Sequence, residues 1–209
     1  MHGEFDYGVI GGGLVGAAVA YGLAKRGQKV AMFDEADIAR RASRGNFALI
    51  WVQGKGVTFP VYSDWTISSA LKWSGFAAEL EELTGIRLHH RRPGGFAPYL
   101  SEEELAARGQ ELGTLKAHNP DYPFEILGHD ELAKVLPRIG PDVAGASYCA
   151  LDGDVNSLML LRSLHTAFAL LGGMSLPGSK VLGIKRDENG FHLETQSGEA
   201  HAGKIVLAA

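Results

Sequence analysis

The string Gly11-Gly12-Gly13-Leu14-Val15-Gly16 constrains this chain more than any other feature. It follows a short apolar run, FDYGVI at residues 5–10, that reads as a buried parallel strand. It opens a segment, 13–26, in which Leu14, Ala17, Ala18, Tyr21 and Ala24 recur at helical spacing. Lys25 and Arg26 fall in the last turn, and Gly27 follows as a stop. Residues 29–33, KVAMF, form a second buried strand that ends at Asp34-Glu35. Strand, glycine turn, helix, strand, acid is a βαβ unit. Each glycine has a separate physical task. Gly11 permits the tight turn, Gly13 lets backbone approach a pyrophosphate, and Gly16 lets the helix pack close to the sheet. The helix N-terminus offers unpaired N–H groups and the positive end of its dipole to phosphates. Asp34, 23 residues beyond Gly11, is spaced to accept from both ribose hydroxyls of an adenosine. That acid argues against a 2′-phosphate, and so against NADP.

Downstream, the pattern stops being a simple βα alternation. Residues 36–59 read as a loop rich in Arg, Ser, Gly and Asn. Pro60 suits the first position of a helix that runs through Trp65, Leu71, Phe76, Leu80 and Leu83 to Gly85. Residues 86–100 read as two strands around Pro93-Gly94-Gly95. Ser101 and Glu104 form a capping box for a helix to about His118, which Asn119-Pro120 ends. A short strand over 124–127, a short helix over 130–136 and a strand over 143–149 follow. Asp154 or Asn156 caps a helix over 157–171, closed by Gly172-Gly173. Strands are expected over 179–186, 190–196 and 203–208, with turns at Asn189-Gly190 and Ser197-Gly198. An NAD-type domain would continue with further βα units. A β-rich excursion suits a two-domain flavoenzyme better, although the fingerprint itself serves NAD and FAD alike.

Composition narrows the class. Among 209 residues, 45% are hydrophobic and 21% charged, which excludes collagen-like and disordered chains. A net charge of −4 leaves no footprint for nucleic acid. One cysteine, Cys149, permits no internal disulfide and fits a reducing compartment. The apolar N-terminal stretch is broken by glycines, and the chain opens with two acids among its first six residues, unlike a signal peptide. The expectation is a cytoplasmic protein without a transmembrane segment, any association with a membrane being peripheral and through a partner.

Taken together, VIGGGLVGAAVAYGLAKRGQKVAMFDE, ASRGNFALIWVQGKG, GDVNSLMLLRSLHTAF and KIVLAA resemble the FAD-dependent amino-acid oxidoreductase family typified by D-amino-acid oxidase and glycine/sarcosine oxidase. Within it, the ASRGNF segment most resembles hydroxyproline and opine dehydrogenase subunits and hydrogen cyanide synthase subunits. The resemblance covers essentially the whole chain. It implies an α/β fold: a discontinuous, Rossmann-like FAD-binding domain over 1–88 and 150–209, interrupted by part of a β-rich substrate domain over 89–149. It also implies roles. Gly11, Gly13, Leu14 and Val15 would line the pyrophosphate. Asp34, with Glu35 alongside, would hold the adenosine ribose. Ser43, Arg44 and Asn46 would meet the pyrophosphate and ribityl chain, and Ala48 would approach the flavin ring. The Val181 backbone would meet the adenine, and Ala208-Ala209 would begin a second flavin motif. Ala48 stands where close relatives tend to have glycine, and Ser157 where they tend to have proline. The chain stops inside the second motif. The expectation is therefore the N-terminal portion of a longer enzyme, lacking the half that grips the substrate carboxylate, or a chain completed by a partner.

The implied reaction is oxidation of the C–N bond of an amino acid or secondary amine by hydride transfer to flavin. No catalytic residue is assigned within this chain. Two other readings stay open: a non-catalytic nucleotide-binding subunit, and an NAD-dependent dehydrogenase. Other candidates read as structural. His89 and His90 would face opposite sides of a strand, so no metal site is expected. Asp152 and Asp154 read as turn and cap residues, Cys149 as a packed small residue, and Trp51, Trp65 and Trp73 as core or interface anchors.

Overall fold

A computed structural model describes residues 3–35 and 42–209, with the side chain of Arg44 left aside. Strand β1 (Gly3–Ile10) leads into helix α1 (Leu14–Ala24) and strand β2 (Val30–Phe33), as the fingerprint requires. Gly16, Ala17, Ala20, Tyr21 and Ala24 form the buried stripe of α1, and small residues there allow close approach to the sheet. All four residues of β2 are buried, as expected for an interior parallel strand. A 3₁₀ turn (Ala42–Arg44) precedes β3 (Leu49–Ile50), and α2 (Pro60–Thr84) begins at the expected proline. Then come β4 (Gly95–Tyr99), α3 (Glu102–His118), β5 (Glu125–Gly128), α4 (His129–Val135), β6 (Gly145–Cys149) and β7 (Gly153–Asp154). The chain closes with α5 (Ser157–Leu170), β8 (Met174–Leu176), β9 (Val181–Arg186), β10 (Phe191–Thr195) and β11 (Gly198–Leu207).

The chain divides into two compact units. The first comprises the described residues of Met1–Phe47, Ala78–Leu88 and Asn156–Ala209. Its sheet runs β8-β2-β1-β11-β10-β9. The first four strands pair in parallel, and β10 and β9 extend the sheet antiparallel. Leu193 of the antiparallel β10 and Ala200 and Ala202 of β11 share one core with Phe5, Ala31 and Phe33 of β1 and β2. The Thr84 and Ser163 hydroxyls meet at 3.0 Å, and the Tyr21 hydroxyl bonds the Glu79 carboxylate. The expected α/β class with a parallel sheet is what the structure has.

The second unit comprises Ala48–Ala77 and His89–Val155. It holds the antiparallel sheet β4-β6-β5 and the small β3-β7 ladder. Leu105, Leu112 and Leu115 are the buried face of α3, and the Ser101 hydroxyl accepts from the Glu104 N–H at its start. The segment 48–77, expected with the nucleotide-binding part, lies in this unit.

Other local readings differ as well. Residues 86–92 are not a strand. His89 sits at φ +54, Leu88 N–H is taken by the Glu81 carboxylate, and the remaining pairing is one bridge between Arg91 and Asp154. Strand β8 has no counterpart in the sequence reading, because three residues after a glycine pair carry no periodicity. β11 begins at Gly198 rather than at 203, its first half being glycine and alanine with polar residues, a weak strand signature. Trp65 is 70% exposed and so is not core, whereas Trp73 stacks on His90. Asp152 closes a turn, its N–H donating to the Cys149 carbonyl, and is also a wholly buried acid, described below. No helix among the described residues is long and apolar enough to cross a membrane.

Candidate functional site

The first unit carries a cavity of about 460 Å³ at the C-terminal ends of β1, β2 and β11. Concavity of that size in that place suits part of a nucleotide cofactor. Of the residues singled out in the sequence, Gly11, Gly13, Asp34, Glu35, Ser43, Val181 and Ala208 line it. Ala209, Ile10, Phe33, Ala42 and Lys180 complete the lining.

The glycine turn is held by close backbone contacts. Gly11 has φ +106, and a Cβ there would stand 2.5 Å from the Ala208 carbonyl oxygen. Gly11 N–H donates to the Phe33 carbonyl, and Ala208 N–H to that of Ile10, so β1, β2 and β11 converge at the turn. A Cβ on Gly16 would overlap the Gly11 carbonyl, which is why α1 can seat directly behind the turn. A Cβ on Gly13 would stand 3.0 Å from Ser43 Oγ, so the cradle at this position is one a side chain would narrow.

Helix α1 has no cap from its own N-cap residue, Gly13. Ser43 Oγ supplies one from 29 residues away, accepting the Leu14 N–H at 3.0 Å. That N–H is among the groups a helix start presents to an anion. Asp34 follows β2 directly. Its backbone is tied on both sides, N–H to the Leu176 carbonyl and carbonyl to the Ser179 N–H. Its Oδ2 accepts the Gly12 N–H. Glu35 pairs with Lys180 at 3.4 Å, an exposed pair of small energetic weight.

The remaining candidates are not gathered at the cavity. Val15 is 69% exposed on α1. Asn46 Nδ2 donates to the Ser43 carbonyl at 2.9 Å and so braces the 3₁₀ turn. The side chain of Arg44 lies outside the described residues. Ala48 belongs to the second unit, where it takes φ +57 and its carbonyl accepts the Val155 N–H. A left-handed alanine is strained by roughly 1–2 kcal/mol, a strain that a glycine at this position would not carry.

Sequence reasoning missed two features. His165 on α5 reaches the fingerprint turn, its Nε2 lying 2.8 Å from the Gly12 carbonyl oxygen. In the second unit, Asp152 is fully buried and accepts from the N–H groups of Val52 and Gln53 and from Gln53 Nε2. Gln53 in turn donates to the Gly95 carbonyl and accepts from Ser147 Oγ. Burial pushes the Asp152 carboxyl above its ordinary value, against the lowering effect of the Val52 and Gln53 donors. Burial likewise raises Tyr122, to about 12, and Cys149, to about 11. Tyr122 binds the same segment, accepting from Gly54 N–H and donating to the Val52 carbonyl. No sequence signal links Asp152 to residue 52, about 100 positions away.

The model of the FAD dependent oxidoreductase family matches residues 6–209. An opine oxidase subunit of Agrobacterium tumefaciens (strain Ach5) is 42% identical, the match covering 99% of this chain and 56% of that protein. An opine oxidase subunit of Rhizobium meliloti is 37% identical over the same shares. The crystal structure of glycine oxidase from Geobacillus kaustophilus superposes with a TM-score of 0.91 at 28% identity, over 99% of this chain and 55% of that one. The chain thus spans about half the length of the relatives it matches.

Proposed function

This chain belongs to the family of FAD dependent oxidoreductases, and from that premise we propose that it is the FAD-holding part of an enzyme that oxidises the C–N bond of an amino acid or secondary amine. The observation that carries the reading is the cavity at Gly11, Gly13, Asp34 and Ser43, which presents a helix start, a hydroxyl and a carboxylate in the order a dinucleotide needs. In that reading Gly11 and Gly13 line the pyrophosphate, and Leu14 and Val15 stand at the helix start beside it, the Leu14 N–H being taken by Ser43 Oγ. Asp34 receives the adenosine ribose hydroxyls, and Val181 flanks the adenine. Ser43, Arg44 and Asn46 serve the pyrophosphate and ribityl chain, and Ala208 closes the turn. Bound FAD supplies a two-electron acceptor for hydride from the carbon beside an amine nitrogen. The residues of this chain bind and orient; they need not move a proton.

The substrate we infer is an opine or a small amino acid, given the names of the proteins this chain is similar to. A partner subunit is part of the proposal, since the relatives at 42% and 37% identity are named as one subunit of an oxidase. A reducing, cytoplasmic setting goes with the lone, buried Cys149. The test is anaerobic mixing of the flavin-loaded protein, alone and lengthened to the span of its relatives, with opines, glycine and D-amino acids. Substrate-dependent bleaching of the flavin absorbance in either form supports the reading. Flavin that binds but is bleached by no amine in either form contradicts the activity.

A further inference from the structure

Three consecutive glycines, residues 11–13, form the turn on which the cavity rests, and glycine backbone is costly to immobilise. The structure grips the middle one at both ends. Gly12 N–H donates to Asp34, and the Gly12 carbonyl oxygen lies 2.8 Å from His165 Nε2. A carbonyl only accepts, so Nε2 carries the proton and the ring is fixed in that tautomer or in its cationic form. His165 does not line the cavity; it borders a separate shallow recess with Thr166, Ala169, Leu170 and Ser175. The Gly12 carbonyl is therefore held toward α5. The Gly12–Gly13 peptide is trans, and in a trans peptide the N–H points opposite to the C=O. Gly13 N–H is thus aimed away from His165, and Gly13 itself lines the cavity.

We propose that His165 is the positioning residue of the phosphate-binding turn: by holding the Gly12 carbonyl, it presents the Gly13 N–H to a pyrophosphate. It touches the turn and not the ligand. The proposal rests on reading the cavity as a dinucleotide site and names a residue no motif marks. Its energetic logic is preorganisation, because a turn already fixed loses less freedom when the ligand binds.

The experiment is a set of binding titrations with adenosine, ADP and FAD on the wild-type chain, His165→Leu and His165→Gln, with thermal melting of each free protein. Leucine keeps the bulk and removes the donor; glutamine restores an N–H donor. His165→Ala is the second donor-less variant should leucine not fold. The expected result is a loss of about three- to tenfold in affinity for ADP and FAD in the donor-less variant, the weight of one such hydrogen bond. Adenosine, which has no phosphate, is bound as by wild type, and glutamine recovers most of the loss. ADP binding unchanged in the donor-less variant overturns the proposal. So does a parallel loss of adenosine and ADP, or a failure of glutamine to recover affinity. Wild-type chain that binds ADP but not FAD removes the flavin reading and leaves His165 to be judged on ADP. Wild-type chain that binds neither overturns both.

Discussion

The two units solve the same problem, holding an irregular segment still, with different emphasis. In the first, the turn over residues 11–13 is seated by close backbone packing, since absent side chains let Gly11 meet the Ala208 carbonyl and Gly16 meet the Gly11 carbonyl, and the Asp34 and His165 side chains then hold Gly12. In the second, the segment over residues 51–54 is held by side chains: the buried Asp152 carboxylate accepts from the Val52 and Gln53 N–H groups and from the Gln53 amide, and the Tyr122 phenol meets the Gly54 N–H and the Val52 carbonyl. The difference teaches where each region is fragile. Adding one carbon damages the first, and removing a polar group damages the second.

The largest effect is expected at Gly16. Gly16→Val places carbons where the Gly11 carbonyl already sits, so α1 must move off the turn. The variant is expected to lose about 4 kcal/mol or to fail to fold, and to bind no dinucleotide. Chemical denaturation and FAD titration read both. A valine variant of wild-type stability would mean the close backbone approach is not what holds the turn.

Asp152→Ala comes next. It strands the Val52 and Gln53 N–H groups and the Gln53 amide in a buried setting, for a loss of about 3 kcal/mol. The pH dependence sharpens the point. Because burial raises the folded-state value of this acid, the folded state binds the proton more tightly than the unfolded chain. Its contribution to stability is fully present below the ordinary value of 3.8 and is lost as pH rises through the raised value. Asp152→Asn does not titrate, so the stability of wild type relative to Asp152→Asn should be greater near pH 4 than near pH 7. Equal differences at the two pH values would place the carboxyl in an unperturbed environment.

These two regions also explain what could be read before the fold was known. The fingerprint was legible because backbone constraint leaves glycines behind, at fixed spacing, within one βαβ unit of about 30 residues. Asp34 was legible for the same reason: the end of β2 fixes its place. Asp152, Gln53 and Ser147 were not, because their partners lie some 94 to 100 positions apart and each residue alone resembles a turn or surface group. His165 is 153 positions from Gly12 and sits among apolar residues of α5, where nothing local marks it. The resemblance marks Ala48 as an expected departure from glycine, and its φ of +57 is a backbone conformation that favours glycine.

Smaller changes refine the contrast. Asp34→Ala removes the acceptor of the Gly12 N–H and the proposed partner of the ribose, and is expected to weaken FAD binding by about tenfold or more. Equilibrium dialysis against FAD checks it. Least of all, Ala48→Gly relieves a left-handed alanine and is expected to raise stability by up to about 1 kcal/mol, seen as a higher urea midpoint. A lower midpoint would mean that the Ala48 methyl group contributes more by packing than its backbone strain costs.

The central claim is that the glycine turn and Asp34 hold FAD. The most direct measurement is gel filtration of the chain after incubation with FAD, beside Asp34→Ala, recording flavin and protein absorbance together. Flavin travelling with the wild-type chain, and largely lost from Asp34→Ala, is the predicted result. Flavin absent from both while NAD is retained, or flavin held equally by both, would contradict it.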